Sequence, residues 1–307
     1  MASQSSLVSA APQGIQSAFD VVEFVPARSL AKPNRGGDQR IPRPAQIQPG
    51  GHAPWAQLPA PHHISVTDIG NALANRTPGH WGPVLAVNPS PPELASQGWH
   101  NSGLPDDYSL ADPSGVLVLV YDDDDGTDAT SAGANDDDIN NATSAGADDN
   151  NGSTQAHVVL TRRARNLRVH AGEVSFPGGR REPDDDNLWA TALREANEEI
   201  SLRPDAELQL LGRLDSFTTP TSNSVACPFV VATTADVKLH ANPAEVDAIL
   251  RIELTDLLHP DAFRQEHWTM TNGETRTMTF FDLEGDTIWG ATARTLRLLL
   301  ELLTKRG

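Results

Sequence analysis

From Gly115 the chain reads Gly-Val-Leu-Val-Leu-Val-Tyr, with apolar side chains at every position from Val116 to Tyr121. Side chains alternate between the two faces of a strand, so such a run leaves neither face suited to water and is expected to be buried on both. A second strand is predicted over Ala156 to Arg162. Between the two, Asp122 to Gly152 offers a core no side chain except Ile139, contains Ala-Thr-Ser-Ala-Gly-Ala at both 129–134 and 142–147, and carries ten aspartates with no lysine or arginine. It is expected to be an acidic inserted loop, tolerated because closure entropy grows slowly with loop length. Further strands are predicted over Glu207 to Asp215, Val225 to Thr233, His267 to Met270 and Thr275 to Asp282. Helices are predicted over Thr67 to Arg76 and Ala291 to Leu303, with a short turn or helix at Leu254 to Leu258. This alternation is that of an α/β domain.

Aromatic residues make up only 5% of the 307, and the 23 prolines concentrate early, so the ordered part is expected to be smaller than the whole. Met1 to about Pro61 mixes serine, glutamine, proline and glycine without a sustained period and reads as a mostly disordered tail. Within it, Phe19 to Val25 is an apolar fluctuation or a short strand. Residues 62–111 are expected to form an N-terminal extension that packs on the domain, with Trp81 and Trp99 as contacts, and residues 112–306 the main domain, with its insertion at 122–152. The formal charge is −18, or −8 without the ten aspartates of the insertion, which argues against a nucleic-acid-binding surface built on clustered Lys and Arg. No stretch approaches the ~20 apolar residues of a membrane helix. The N-terminus lacks the basic and apolar regions of a signal peptide. Cys227 is the only cysteine, expected as a buried strand thiol. A reducing, cytoplasmic setting is the expectation.

The chemistry concentrates between Val158 and Leu202. An apolar run ends at Gly178-Gly179, an acidic turn follows, and a predicted helix carries Arg194, Glu195, Glu198 and Glu199. At about 100° per residue the three glutamates share one helix face, while Trp189, Ala192, Leu193, Ala196 and Ile200 lie roughly 120° away, so the carboxylates are expected to point away from the core together. Like charges at such spacing repel, and a hard divalent cation with oxygen ligands is the best offset. Arg162, Arg163, Arg165, Arg168, His170, Arg180 and Arg181 form a basic cluster suited as a group to a polyanionic ligand, because guanidinium binds phosphate bidentately.

Gly179, the Asp184 to Asp186 run and Arg194 to Leu202 together resemble the box of the Nudix hydrolases. Asp185 or Asp186 stands at the glutamate position of the turn, which is one residue longer than in the general box, and Ser201 replaces a glycine. Upstream, Leu160-Thr161-x-Arg163 and Arg168-x-x-x-Gly172-x-x-x-Phe176-Pro177-Gly178-Gly179 resemble the signature of the coenzyme A type, with Ala164 in place of the usual serine. The resemblance implies a Nudix-type α/β/α sandwich with a mixed sheet and a soluble enzyme acting on a small molecule, with a homodimer as one assembly. It implies Mg2+, or Mn2+ in its place, held by Glu195, Glu198 and Glu199, with Arg194 orienting these carboxylates. Arg163, Arg168, Gly172, Phe176, Gly178 and Gly179 would bind substrate. Asn242 to Val246 resembles another family element, placing Glu245 near the metals, although Glu245 also reads as a carboxylate at a helix N-terminus. Glu198, Glu199 and Glu245 are all open as the general base. The implied reaction splits the diphosphate of coenzyme A into 3′,5′-ADP and 4′-phosphopantetheine. ADP-ribose or a dinucleotide is the alternative substrate, and a ligand sensor without catalysis is the alternative class.

Overall fold

Both apolar runs lie in the middle of one sheet, and what covers its two faces sets the rest of the architecture. The computed structural model describes residues 21–26, 36–37, 39–58, 61, 63–75, 112–123, 154–219, 224–271 and 273–304. The chain opens with β1 (Val21–Pro26), β2 (Gly36–Gly37), β3 (Arg40–Pro44), β4 (Ile47–Pro49) and α1 (Val66–Ala74). The long strands β5 (Asp112–Asp123) and β6 (Gln155–Arg163) follow, then β7 (Val174–Ser175), β8 (Gly178–Arg180) and the helix α2 (Leu188–Ile200). Next come β9 (Gln209–Arg213), β10 (Phe217–Thr219), β11 (Ser224–Ala232), β12 (Val246–Glu253) and α3 (Leu254–Leu258). The chain closes through β13 (Phe263–Thr269), β14 (Thr275–Asp282), β15 (Glu284–Gly285), β16 (Thr287–Trp289) and α4 (Gly290–Thr304).

The main sheet has the order β10-β11-β5-β6-β12, with β9 also on β11, β7 on β6 and β8 on β5. Strand β11 runs parallel to β5, with Ser224 opposite Asp112 and Ala232 opposite Val120, whereas β6 is antiparallel to both β5 and β12. The sheet is therefore mixed. Alternation along the strands sorts the core into two layers. Val118, Val120, Val158, Leu160 and Val230 face α1, α3 and α4, meeting Ile69, Leu73, Leu257, Leu296, Leu299 and Leu300. Leu117, Leu119, Tyr121, Val159, Cys227, Phe229 and Val231 face α2, meeting Leu188, Ala192, Ala196 and Ile200. Each such aliphatic side chain contributes roughly 1.5–3 kcal/mol on burial. Gly115 lets α2 approach β5 closely, since a Cβ there would sit 2.2 Å from the Leu188 carbonyl oxygen.

Helix α1 starts a residue before the expected Thr67, because Ser65 and Asp68 form a reciprocal capping box. Strand β12 was not among the predicted strands, and its mixed sequence gives no clean alternation. Residues 76–111, with Trp81 and Trp99, and residues 124–152 of the insertion lie outside the described residues, while Asp122 and Asp123, expected in the insertion, end β5.

The expected tail is corrected over residues 36–37 and 39–58. This segment is a strap across the carboxy-terminal half of the chain. Strand β4 pairs with β13, β2 with β15 and β3 with β1. Ile41 packs with Trp268, Phe280 and Trp289, while Trp55 stacks on Phe281, meets Phe263 edge to face and donates from Nε1 to the Leu258 carbonyl at 3.3 Å. Trp55 and Ile41 are 3% and 1% exposed, so the segment has enough apolar area to offset its ordering despite its prolines. Among the described residues no helix is long and apolar enough to cross a membrane.

Candidate active site

Helix α2 is started by Asn187, whose side chain accepts from Ala190 N, and ends at Ser201 in the left-handed region, φ 54°. The Ser201 N–H caps the helix on the Ala196 and Asn197 carbonyls, and the Asn197 amide donates to the Leu202 carbonyl at 2.9 Å. Serine thus takes the conformation for which glycine is preferred.

The three glutamates do not point outward together, and that expectation is corrected. Their side chains are 47% exposed at Glu198, 16% at Glu195 and 3% at Glu199. Two neighbours cover Glu199. The β8 turn lies over its carboxylate, with Gly178 N donating to Glu199 Oε2 at 3.3 Å, and the chain after residue 239 docks on the helix end, with Asn242 N donating to the Glu199 carbonyl at 2.9 Å. The same docking brings Glu245 to the site. Burial pushes the Glu199 carboxyl up to about 7; Arg163 opposes this, while the charges of Glu195 and Glu245 add to it. Glu195 is also raised, by burial first, against the pull of Arg194.

Arg194 organises the turn. Its Nε and Nη2 grip both oxygens of Asp185 at 3.0 and 3.1 Å, Nη1 donates to Glu198 Oε2 at 3.0 Å, and Nη2 reaches the Arg180 carbonyl at 3.0 Å and Glu195 Oε1 at 3.0 Å. Asp185 also accepts from Glu182 N and Thr191 Oγ1, both at 2.9 Å. Burial pulls the Asp185 carboxyl up, but these bonds outweigh it and hold it below the usual range. Of the two candidate aspartates, Asp185 is therefore turned inward, and Asp186 is exposed.

The glycine pair makes room for this cluster. Gly178 has φ 150° and lies against Gly115, and a Cβ on Gly179 would sit 2.3 Å from Glu195 Oε1. Phe176 is 5% exposed and anchors the turn from the core rather than offering a face to a ligand. Gly172, at φ 72°, turns the loop between β6 and β7, where its N–H meets the Arg163 carbonyl and Arg163 N meets the Glu173 carbonyl. In that loop His170 Nδ1 lies 3.0 Å from Glu173 Oε2, a bond that raises the imidazole's pKa. Arg168 is exposed on it.

The basic cluster is divided by strand alternation. Arg163 turns to the α2 face, with Nη1 3.6 Å from Glu199 Oε1, whereas Arg162 turns to the other and is spent on Asp286. Arg181 donates to the Asp185 carbonyl. Sequence reasoning did not find Asp185 as the partner of Arg194, or Arg163 as the partner of Glu199. Adjacency of Arg162 and Arg163 on one strand was the signal that they face opposite ways.

Among the described residues no three acidic, histidine or cysteine side chains converge closely enough to enclose an ion. The carboxylates pair with Arg194 and Arg163. The donor set nevertheless suits a hard divalent ion. It is all oxygen and carries excess negative charge in a partly buried place, where burial first, and then the charges of Glu195 and Glu245, raise the Glu199 carboxyl.

A mixed sheet between helices thus carries a carboxylate helix that faces a glycine turn. The NUDIX domain profile matches residues 142–272. The uncharacterized Nudix hydrolase NudL of Photorhabdus laumondii is 35% identical over 144 residues, 47% of this chain and 75% of that protein. Its counterpart of the same name in Yersinia pestis is 35% identical over 144 residues, 47% of this chain and 71% of its own. A MutT/nudix family protein from Enterococcus faecalis superposes with 14% identity and a TM-score of 0.35 over 77% of this chain and 74% of its own, too loosely to bear on the fold. The chain belongs to the Nudix hydrolase family.

Proposed function

We propose that the enzyme hydrolyses the diphosphate linkage of coenzyme A or a close derivative, giving 3′,5′-ADP and 4′-phosphopantetheine. One observation carries this reading. The hairpin that bears the coenzyme A-type signature is fastened to the carboxylate helix at two points, Gly178 N–H and the Arg163 guanidinium, both on Glu199. Arg168, exposed on its loop, would meet a phosphate outside the scissile diphosphate.

Glu195, Glu198 and Glu199 would hold Mg2+ or Mn2+, which when bound neutralises phosphoryl charge and acidifies water. The chain's own residues do the rest. Arg194 fixes Glu195 and Glu198 relative to the Asp185 turn. Arg163 supplies positive charge on the inner side of Glu199. Glu245, whose charge is felt at both Glu195 and Glu199, would accept the proton of the attacking water, with Glu198 and Glu199 as the other candidates. Water adds to phosphorus, the bridging P–O bond breaks, and the departing phosphate leaves as an anion. A cytoplasmic setting belongs to the same reading, with Cys227 as a buried reduced thiol whose pKa is raised by burial.

The experiment incubates the full chain and Mg2+ with coenzyme A, 3′-dephospho-coenzyme A, ADP-ribose and a dinucleoside polyphosphate, and identifies products by mass. Coenzyme A is expected to give the highest kcat/KM. Arg168→Ala is expected to lower that value by roughly tenfold to a hundredfold for coenzyme A, and much less for the 3′-dephospho form. A wide preference for ADP-ribose or the dinucleotide would overturn the substrate assignment.

A further inference from the structure

We propose that Asp286 is a positioning residue for the active site: held from the amino-terminal strap by Gln39, it holds through Arg162 the end of β6 from which Arg163 reaches Glu199. Asp286 lies between β15 and β16 and is 5% exposed. Its Oδ1 accepts from Gln39 Nε2 at 2.9 Å and from Arg162 Nε at 2.8 Å, and its Oδ2 from Arg162 Nη2 at 2.5 Å. Gln39, itself 6% exposed, also accepts from Thr287 N at 3.3 Å, so its amide is held at both ends. Gly37 leaves the space, since a Cβ there would stand 2.1 Å from Gln39 Oε1 and 2.9 Å from the Asp286 Cα.

Exposed ion pairs fix little, but a buried, bidentate, fully bonded carboxylate permits few alternative geometries. The other acidic partner of Arg162, Asp247, is 3.8 Å away and 44% exposed, a weaker restraint. Consecutive side chains of a strand face opposite ways, so gripping Arg162 on one face of β6 fixes the backbone that aims Arg163 from the other. Both anchoring segments, 36–39 and 284–287, lie outside the residues matched by the family profile. Parts of this chain beyond that span therefore support its catalytic centre. The inference rests on the Arg163–Glu199 pair being in the catalytic site, not on which diphosphate is the substrate.

The test is a double-mutant cycle on the full chain, using whichever diphosphate the wild type hydrolyses best. Asp286→Asn keeps the shape and removes the charge. A misplacement of about 1 Å can cost up to ~100-fold, so a loss of about tenfold in kcat is expected, with little change in KM, because Arg163 faces the carboxylates. In an Arg163→Lys background the same substitution is expected to cost less than about twofold, since the residue through which Asp286 acts has already been altered. Thermal unfolding confirms that each variant is folded at the assay temperature. Gln39→Ala, measured in the same cycle, gives a smaller loss with the same dependence on Arg163 and serves if Asp286→Asn does not fold. An unchanged kcat, or an equal loss in both backgrounds, overturns the proposal. If Arg163→Lys alone leaves turnover unchanged, the reading of the site fails as well, which separates the two failures.

Discussion

Replacing Glu199 by glutamine is expected to stabilise the metal-free protein at alkaline pH while abolishing turnover. The carboxyl is 3% exposed, and in the fold it keeps its proton up to about pH 7 instead of 4.5. Between those values the unfolded chain releases a proton that the folded chain retains, so stability falls as pH rises through the window, and the full penalty is present above pH 7. A shift of about 2.5 units corresponds to roughly 3 kcal/mol. Glutamine keeps an oxygen for Gly178 N–H but leaves Arg163 without its partner charge, which reduces the expected gain to about 1–3 kcal/mol. At 2–4 °C per kcal/mol for a domain of this size, Tm should rise by roughly 2–12 °C at pH 8 and be nearly unchanged at pH 5. The assay is thermal unfolding of both proteins in a chelator from pH 5 to 8.5, where other titrating groups cancel in the difference, repeated with Mg2+. With Mg2+ the order should reverse, because binding stabilises the wild type more. A Tm difference independent of pH, or a variant less stable than wild type at pH 8 in chelator, would refute the reasoning.

Ser201→Gly should raise stability by about 1 kcal/mol, because serine at φ 54° carries left-handed strain that glycine does not; an unchanged or lower Tm would show that the strain is absent. Arg194→Lys should lower kcat/KM by about tenfold or more with the fold retained, since one ammonium cannot reproduce the grip on Asp185 together with the bonds to Glu195 and Glu198; kinetics with a parallel Tm decide it. Trp55→Ala should cost roughly 3–5 kcal/mol in a denaturant titration, and a cost below about 1 kcal/mol would mean that the strap is not part of the cooperative fold.

What could be read in advance was whatever repeats locally. The uninterrupted apolar run of β5 announced burial on two faces, and α2 announced its inner stripe through Ala192, Ala196 and Ile200. The glycine pair and the glutamates stood close together in the chain and were found together. Residues 36–58 were hidden because their buried side chains occur singly. Ile41 and Trp55 sit among prolines and polar residues, and the partners that bury them lie more than two hundred positions away. Strand β12 escaped for lack of alternation. The burial of Glu199 was invisible for another reason: helix periodicity places it beside Glu195 and Glu198, but what covers it is a turn some twenty residues earlier and a loop some forty residues later. The division of labour between Arg162 and Arg163 was present in the strand rule and became useful only once Asp286 and Glu199 stood on opposite sides.

The ladder between β5 and β6 brings both ends of the inserted segment to one edge of the sheet. Asp123 stands opposite Gln155, so residues 124–154 depart from and return to adjacent backbones. Eight residue steps along β6, at about 3.3 Å each, put roughly 26 Å between that exit and Arg163. Doubling the length of chain there adds only ~0.6 kcal/mol of closure cost. Replacing residues 124–153 by a short turn is therefore expected to leave turnover largely unchanged, which would make this edge a port for a grafted reporter or affinity epitope; a large loss of kcat would show that the segment reaches the active site.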